Sequence, residues 1–126
     1  MLQKGSYIKI GDNCGGAIAK CIRVPGSYNK HVATLGSQIK INIVKLRTRK
    51  KVQKKKIYNG VLVAIKQTKR RKDGSYIKFK NNKVLVLSET KKFLGTRIKG
   101  LICKEIRGGI NEMRYKKIIS CAENTV

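Results

Sequence analysis

The feature that most constrains this chain is the stretch 60–87, GVLVAIKQTKRRKDGSYIKFKNNKVLVL, in which two β-branched apolar runs flank a cationic, turn-forming segment. Residues 61–65 and 84–87 are too short and too rich in valine and isoleucine for helices, and both are bounded by polar or turn-forming residues. They predict strands. Tyr76-Ile77-Lys78-Phe79-Lys80 alternates with a two-residue period and predicts a third strand between them. Residues 66–75 join the first strand to it. There Lys66, Lys69, Arg70, Arg71 and Lys72 precede Asp73-Gly74, a dipeptide suited to the positive φ of a tight reverse turn. A cluster of cations at the tip of a rigid sheet repels itself unless an anion lies against it.

The same pattern recurs along the chain. Residues 7–10 form a short alternating strand ending at Gly11-Asp12-Asn13, and residues 17–24 form a second, closed by Pro25-Gly26. Ile39, Ile41 and Ile43 alternate with Gln38, Lys40 and Asn42, the pattern of a strand with one buried and one wet face. Residues 45–56 then hold eight cations in twelve positions and predict a long loop or protruding ribbon that becomes ordered against phosphate. Residues 101–106 predict the start of a short helix, residues 110–119 a second weak helix, and the last few residues a frayed end. Short strands at roughly ten-residue spacing define a mainly β class, a small closed or partly closed antiparallel barrel. No internal repeat or linker interrupts it, so a single domain over residues 1–126 is expected. No apolar run approaches the roughly 20 residues of a helical membrane span. The first residues lack the pattern of a secretory signal or transit peptide, from which a chain beginning at Met1 or already trimmed is expected.

Charge narrows the function. Thirty-one Lys and Arg against six Asp and Glu give a formal charge of +25, which points to a polyanionic partner. Enzymatic chemistry needs converging titratable groups, whereas Asp12, Asp73, Glu89, Glu105, Glu112 and Glu123 are scattered singly. Asp12 and Asp73 sit in turn dipeptides, where a local structural use suffices. His31, the one histidine, lies among polar residues and reads as a surface or phosphate-contacting group. Cys14, Cys21, Cys103 and Cys121 are separated by six, eighty-one and seventeen residues, without the close pairs of a structural zinc site, so no metal or other cofactor is expected. Cys21 and Cys121 read as small core residues, and reduced thiols suit an intracellular or organellar compartment. RNA is favoured over duplex DNA, since no helix-turn-helix, zinc-finger or basic-zipper pattern is present.

Several motifs, in order and over nearly the whole chain, resemble the universal large-subunit ribosomal protein L-fourteen family in its bacterial and organellar form. Gly60-Val61-Leu62-Val63, nine residues, Asp73-Gly74, four residues, Phe79, two residues and Asn82 follow the family signature. Asp12-Asn13-Cys14-Gly15, Cys21-Ile22-Arg23-Val24, Gly95-Thr96-Arg97-Ile98 with Gly100, Glu105-Ile106-Arg107 and Lys117-Ile118-Ile119-Ser120 add to it. The resemblance implies a five-stranded antiparallel β-barrel with a projecting β-ribbon, the barrel and basic loops covering residues 1–100 and short C-terminal helices and a tail covering 101–126. It implies a non-enzymatic constituent of the large subunit that binds its rRNA and sits at the intersubunit face. Further implied partners are small-subunit rRNA, a neighbouring large-subunit protein of the L-nineteen family, and a ribosome-silencing factor. Lys72, Phe93 and Leu101 stand where prolines are common in the family, Lys56 where it has aspartate, and about four extra residues separate Arg107 from Lys117.

On this reading Arg47, Arg49, Lys50, Lys51 and Lys54 clamp RNA phosphates from one side. Lys66, Lys69, Arg70, Arg71 and Lys72 do so from the loop before Asp73, with Arg97 as a third anchor, and reversing Arg70 and Arg71 to Glu is expected to prevent incorporation. An abundance of Lys, Ile and Asn suits a gene rich in adenine and thymine and hence a mitochondrial protein, with a plastid or an AT-rich bacterium as alternatives. A second reading is a free-standing barrel-type RNA binder or RNA chaperone, but such proteins stack bases on surface aromatics, and Tyr76 and Phe79 fall on opposite faces of one strand. A third, a cationic enzyme acting on RNA, lacks an acid–base constellation.

Overall fold

A computed structural model describes residues 2–26, 32–48, 51–108 and 112–126. Among the described residues, eleven strands follow in chain order: β1 (Leu2–Gln3), β2 (Tyr7–Ile10), β3 (Gly16–Arg23), β4 (Val32–Ala33), β5 (Gln38–Leu46), β6 (Ile57–Ala64), β7 (Lys69–Arg70), β8 (Tyr76–Ile77), β9 (Lys83–Leu87), β10 (Ile98–Ile102) and β11 (Ala122–Thr125). A short 3-10 helix, Lys104–Gly108, and one α-helix, α1 (Glu112–Ser120), lie between β10 and β11. Strands β2, β3, β5, β6 and β9 close into a barrel. Four of its five pairings are antiparallel, and the barrel is sealed by a parallel one, Lys9 opposite Lys83 and Ile10 opposite Val84.

The alternation read in the sequence directs side chains as expected. Ile39, Ile41 and Ile43 on β5 point inward and are buried, while Lys40 is exposed. Across from them on β3 stand small residues, Ala19 opposite Ile43 and Cys21 opposite Ile41, so large and small interdigitate at close packing. Strand β6 departs from alternation because both of its faces are covered. Leu62 joins Val84 and Val86 in the barrel interior, whereas Val61, Val63, Leu85 and Leu87 face outward against Ile98, Ile102, Ile106 and Ile118. Continuous apolar runs are what a doubly covered strand requires. The stretch 60–87 thus forms the wall shared by two cores.

The second core is made by the C-terminal segment, and here the structure corrects the sequence reading. The helix expected over 101–106 is instead the end of β10 followed by the 3-10 helix. The tail expected to fray is β11, which pairs parallel with β10 through Ala122, Asn124 and Thr125. Helix α1 is the crossover between them, as a parallel pair needs. Its boundaries fall inside the predicted 110–119 segment apart from Ser120.

Residues 76–80 are also corrected. Only Tyr76–Ile77 is extended, and it pairs with Lys69–Arg70 rather than with the barrel strands on either side. The cationic loop is therefore a small ribbon outside the barrel. Its tip turns at Gly74, with φ +85°, while Asp73 Oδ1 accepts bonds from Ser75 N at 3.0 Å and Ser75 Oγ at 2.6 Å. Those bonds hold the Asp73 carboxyl below its usual range.

Candidate nucleic-acid interface

The cations singled out in the sequence fall into two groups, each held by a different kind of contact. The first is organised by the turn between β2 and β3. Gly15 O accepts from Arg47 N at 2.8 Å and Thr48 N at 3.2 Å, and Cys14 O accepts from Lys51 N at 3.1 Å. On the other side of the turn, Asn13 Oδ1 accepts from Thr96 N at 2.9 Å and Arg97 N at 3.2 Å, while Asn13 Nδ2 donates to Thr96 Oγ1 at 2.8 Å. Residues 12–15 therefore fix Arg47 and Lys51 from one loop and Arg97 from another against a single support.

Asp12 anchors that support. Its side chain is 3% exposed, with Oδ1 accepting from Cys14 N at 3.2 Å and Oδ2 from Val86 N at 3.0 Å. Burial pushes the Asp12 carboxyl above its usual range despite these bonds, and burial together with the neighbouring Asp12 pushes the Cys14 thiol up to about 12. The reading of Asp12 as a local turn residue captures its bonds to Cys14; the bond to Val86 N crosses to β9. Gly95 allows the 96–97 segment to approach. A Cβ there would stand 2.7 Å from Phe93 Cζ, 3.0 Å from Asp12 Cβ and 3.2 Å from Asn13 Oδ1.

The described residues of the 47–56 segment pack on the barrel more than their charge suggests. Val52 is buried, Lys55 N donates to Ile43 O at 3.1 Å, and Gln53 N donates to Tyr58 Oη at 3.0 Å. These contacts need no phosphate, which corrects the expectation of a segment ordered only by RNA. Arg47, Lys51 and Lys54 are exposed, and Lys51 Nζ donates to Leu94 O at 3.0 Å. Arg49 and Lys50, like His31, lie outside the described residues.

The second group is the ribbon. Lys66, Lys69, Arg70 and Lys72 are exposed, and Lys66 N donates to Asn82 Oδ1 at 2.7 Å. Arg71 differs from its neighbours. Its Nε lies 2.5 Å from Glu105 Oε1, and its Nη2 lies 3.4 Å from Glu105 Oε2 and 2.6 Å from Val126 O. Partial burial works to raise the Glu105 carboxyl, but bonds from Cys103 Sγ and Arg71 outweigh it and hold the group below its usual range. Arg71 is thus engaged with the C-terminal segment, which sets it apart from the four exposed cations grouped with it in the sequence. Nothing local separates Arg70 from Arg71; the distinguishing partner is 34 residues away.

Among the described residues, Lys56 and Arg71 are the cations whose side chains pair with an acid. No group of three or more His, Cys, Asp or Glu able to hold a metal occurs among them. Cys14, Cys21 and Cys103 are buried free thiols, while Cys121, read as a core residue, is half-buried at the edge of the second core.

A closed five-stranded barrel with rigidly mounted, unneutralised cations defines a class, the small basic β-barrel protein. Comparison with known sequences makes the class specific. The family model described as Ribosomal protein L14p/L23e matches residues 1–126, and the chain is 32% identical over 126 residues to the large ribosomal subunit protein uL14 of Carsonella ruddii (strain PV), with all of both chains covered. The chain belongs to this family of large-subunit ribosomal proteins, a structural and non-enzymatic class whose place is the ribosome.

Proposed function

We propose that the chain binds large-subunit rRNA by holding two sets of cations against its phosphates. Arg47, Arg49, Lys50, Lys51 and Lys54 with Arg97 form one set, and Lys66, Lys69, Arg70 and Lys72 on and beside the ribbon form the other. Arg71 positions the ribbon. The observation that carries this reading is the combination of a +25 charge with so few intramolecular ion pairs among the described residues. Such a surface is stabilised by displacing counterions from RNA. Family membership supports the remainder of the proposal: a place at the intersubunit face that supports subunit joining, contact with small-subunit rRNA, a neighbour of the L-nineteen family and docking of a ribosome-silencing factor. The Lys-, Ile- and Asn-rich composition supports a mitochondrial ribosome as the setting.

Sedimentation of lysate at elevated salt, with large-subunit RNA followed alongside, tests the central claim. Co-migration is expected for the native chain, and loss of co-migration for Lys69→Glu combined with Arg70→Glu. Release of the native chain to the top of the gradient, or normal incorporation of the double variant, would contradict it. Arg71→Glu is a poorer probe, because it also places a second carboxylate against Glu105.

A further inference from the structure

An open cavity of about 420 Å³ lies between residues 51–58 and the turn after β9, a volume in the range of small-ligand sites. Its lining is chemically mixed. Lys51 and Lys56 bring positive charge, Ser88 and Thr90 hydroxyls, Glu89 a carboxylate, and Tyr58 an aromatic ring. We propose that this cavity receives one nucleotide extruded from the rRNA, with its phosphate on Lys51 and Lys56 and an amino-bearing base edge on Glu89. The proposal rests on the rRNA-binding reading above.

Glu89 is the discriminating residue. Acids are scarce in this chain, and Asp12, Asp73 and Glu105 are already engaged in bonds within the fold. Glu89 instead has a side chain 84% exposed, and its ion pair with Lys56 is long, 3.8 Å, and solvated. Such a pair stabilises the fold little. A carboxylate beside a polyanion is repelled by phosphate, so a ligand made of phosphate alone does not explain it. It becomes an attractive contact when it accepts from the exocyclic amino group of a base. In RNA that edge is reached by a side chain chiefly where the nucleotide is unstacked.

The other residues are set for the rest of a nucleotide. Lys51 Nζ is fixed by Leu94 O and retains further donors. Lys56 Nζ sits 5.8 Å from the centroid of the Tyr58 ring and 3.8 Å from Glu89 Oε1. Ser88 Oγ and Thr90 Oγ1 are 2.8 Å apart, presenting paired hydroxyls. Beside these lining residues lie Lys55, φ 65°, and Lys91, φ 58°, the two non-glycine residues with positive φ among those described. A left-handed backbone gives a lysine no local advantage, and its occurrence on both sides of one cavity fits a shape kept for an occupant.

The test uses large subunits isolated from cells carrying the native chain, Thr90→Trp, which fills the cavity, or Glu89→Lys, which replaces the acceptor by a donor. Sedimentation reports incorporation, and chemical probing of the rRNA reports nucleotide exposure. All three chains are expected to sediment with the subunit, while one unpaired nucleotide other than uridine becomes several-fold more reactive in both variants. Incorporated variants with unchanged reactivity everywhere, or with a change confined to paired nucleotides or to uridine, would overturn the cavity assignment and leave rRNA binding standing. Failure of the native chain itself to sediment with the subunit would overturn the rRNA reading.

Discussion

The two cation-bearing regions are mounted by opposite means. Around residues 12–15, the described residues of the 47–56 segment and the 94–97 loop are held by backbone groups, by the neutral Asn13 side chain and by one buried carboxylate bonded to backbone N–H groups and the Cys14 thiol, so Arg47 and Arg97 keep their charges for an external partner. On the ribbon, one cation of the cluster is itself the fastener, through Arg71 to Glu105 and Val126 O. A support made of buried hydrogen bonds is little affected by salt, whereas an ion pair near the surface is screened. The difference teaches that charge density in a sequence does not measure charge available for binding.

Removing the buried carboxylate should break the first mounting with the largest effect. Asp12→Ala leaves the Cys14 and Val86 N–H groups without an acceptor, and at about 1–3 kcal/mol for each buried unsatisfied donor the loss is roughly 2–6 kcal/mol in urea denaturation. Gly95→Ala follows. Its Cβ would press on Asp12 and Phe93, and overpacking of this kind costs about 1–3 kcal/mol. An unchanged denaturation midpoint for either variant would show that residues 12–15 do not carry the two loops.

The pH response sharpens the contrast, because the two carboxylates are shifted in opposite directions. Asp12 is raised by burial, so its proton is held more tightly in the folded state; its contribution is greatest below the unfolded carboxylate pKa and declines as pH rises through the raised folded value. Glu105 is lowered, so its contribution is present above the unfolded value and is lost as pH falls through the lowered one. The stability difference between the native chain and Asp12→Asn should therefore shrink from pH 3 toward neutrality, whereas that for Glu105→Gln should grow. Hydrogen exchange across residues 69–77 gives a local readout. Glu105→Gln should speed it at neutral pH and leave the 47–56 loop unchanged.

Much of the barrel was legible in the sequence because its signals are local. Alternation at Ile39, Ile41 and Ile43 and the β-branched runs at 61–65 and 84–87 report burial directly. Strand β11 was not legible, since Ala122-Glu123-Asn124-Thr125 carries no apolar alternation and is extended by pairing with β10. The same limit applies at the interface. The sequence found the cations, but the acceptors that mount them, Gly15 O, Asn13 Oδ1 and Glu105, are remote along the chain from the groups they hold. Arg70 ends a two-residue strand and is exposed, whereas Arg71, the next residue, is half-buried against Glu105, and only tertiary contacts separate the two.

The smallest expected effect on the fold isolates binding from mounting. Lys72 is exposed beside the ribbon turn and makes no ion pair among the described residues, so Lys72→Ala should change stability by no more than about 0.5 kcal/mol. If it contacts one phosphate, its removal should lower the slope of log affinity against log salt by roughly 0.7–0.9, measured with large-subunit RNA. Arg71→Ala should instead loosen the ribbon in hydrogen exchange and alter affinity through geometry. A drop in slope for both variants with no change in ribbon exchange for Arg71→Ala would make the ribbon uniformly phosphate-facing and erase the contrast between its two neighbouring cations.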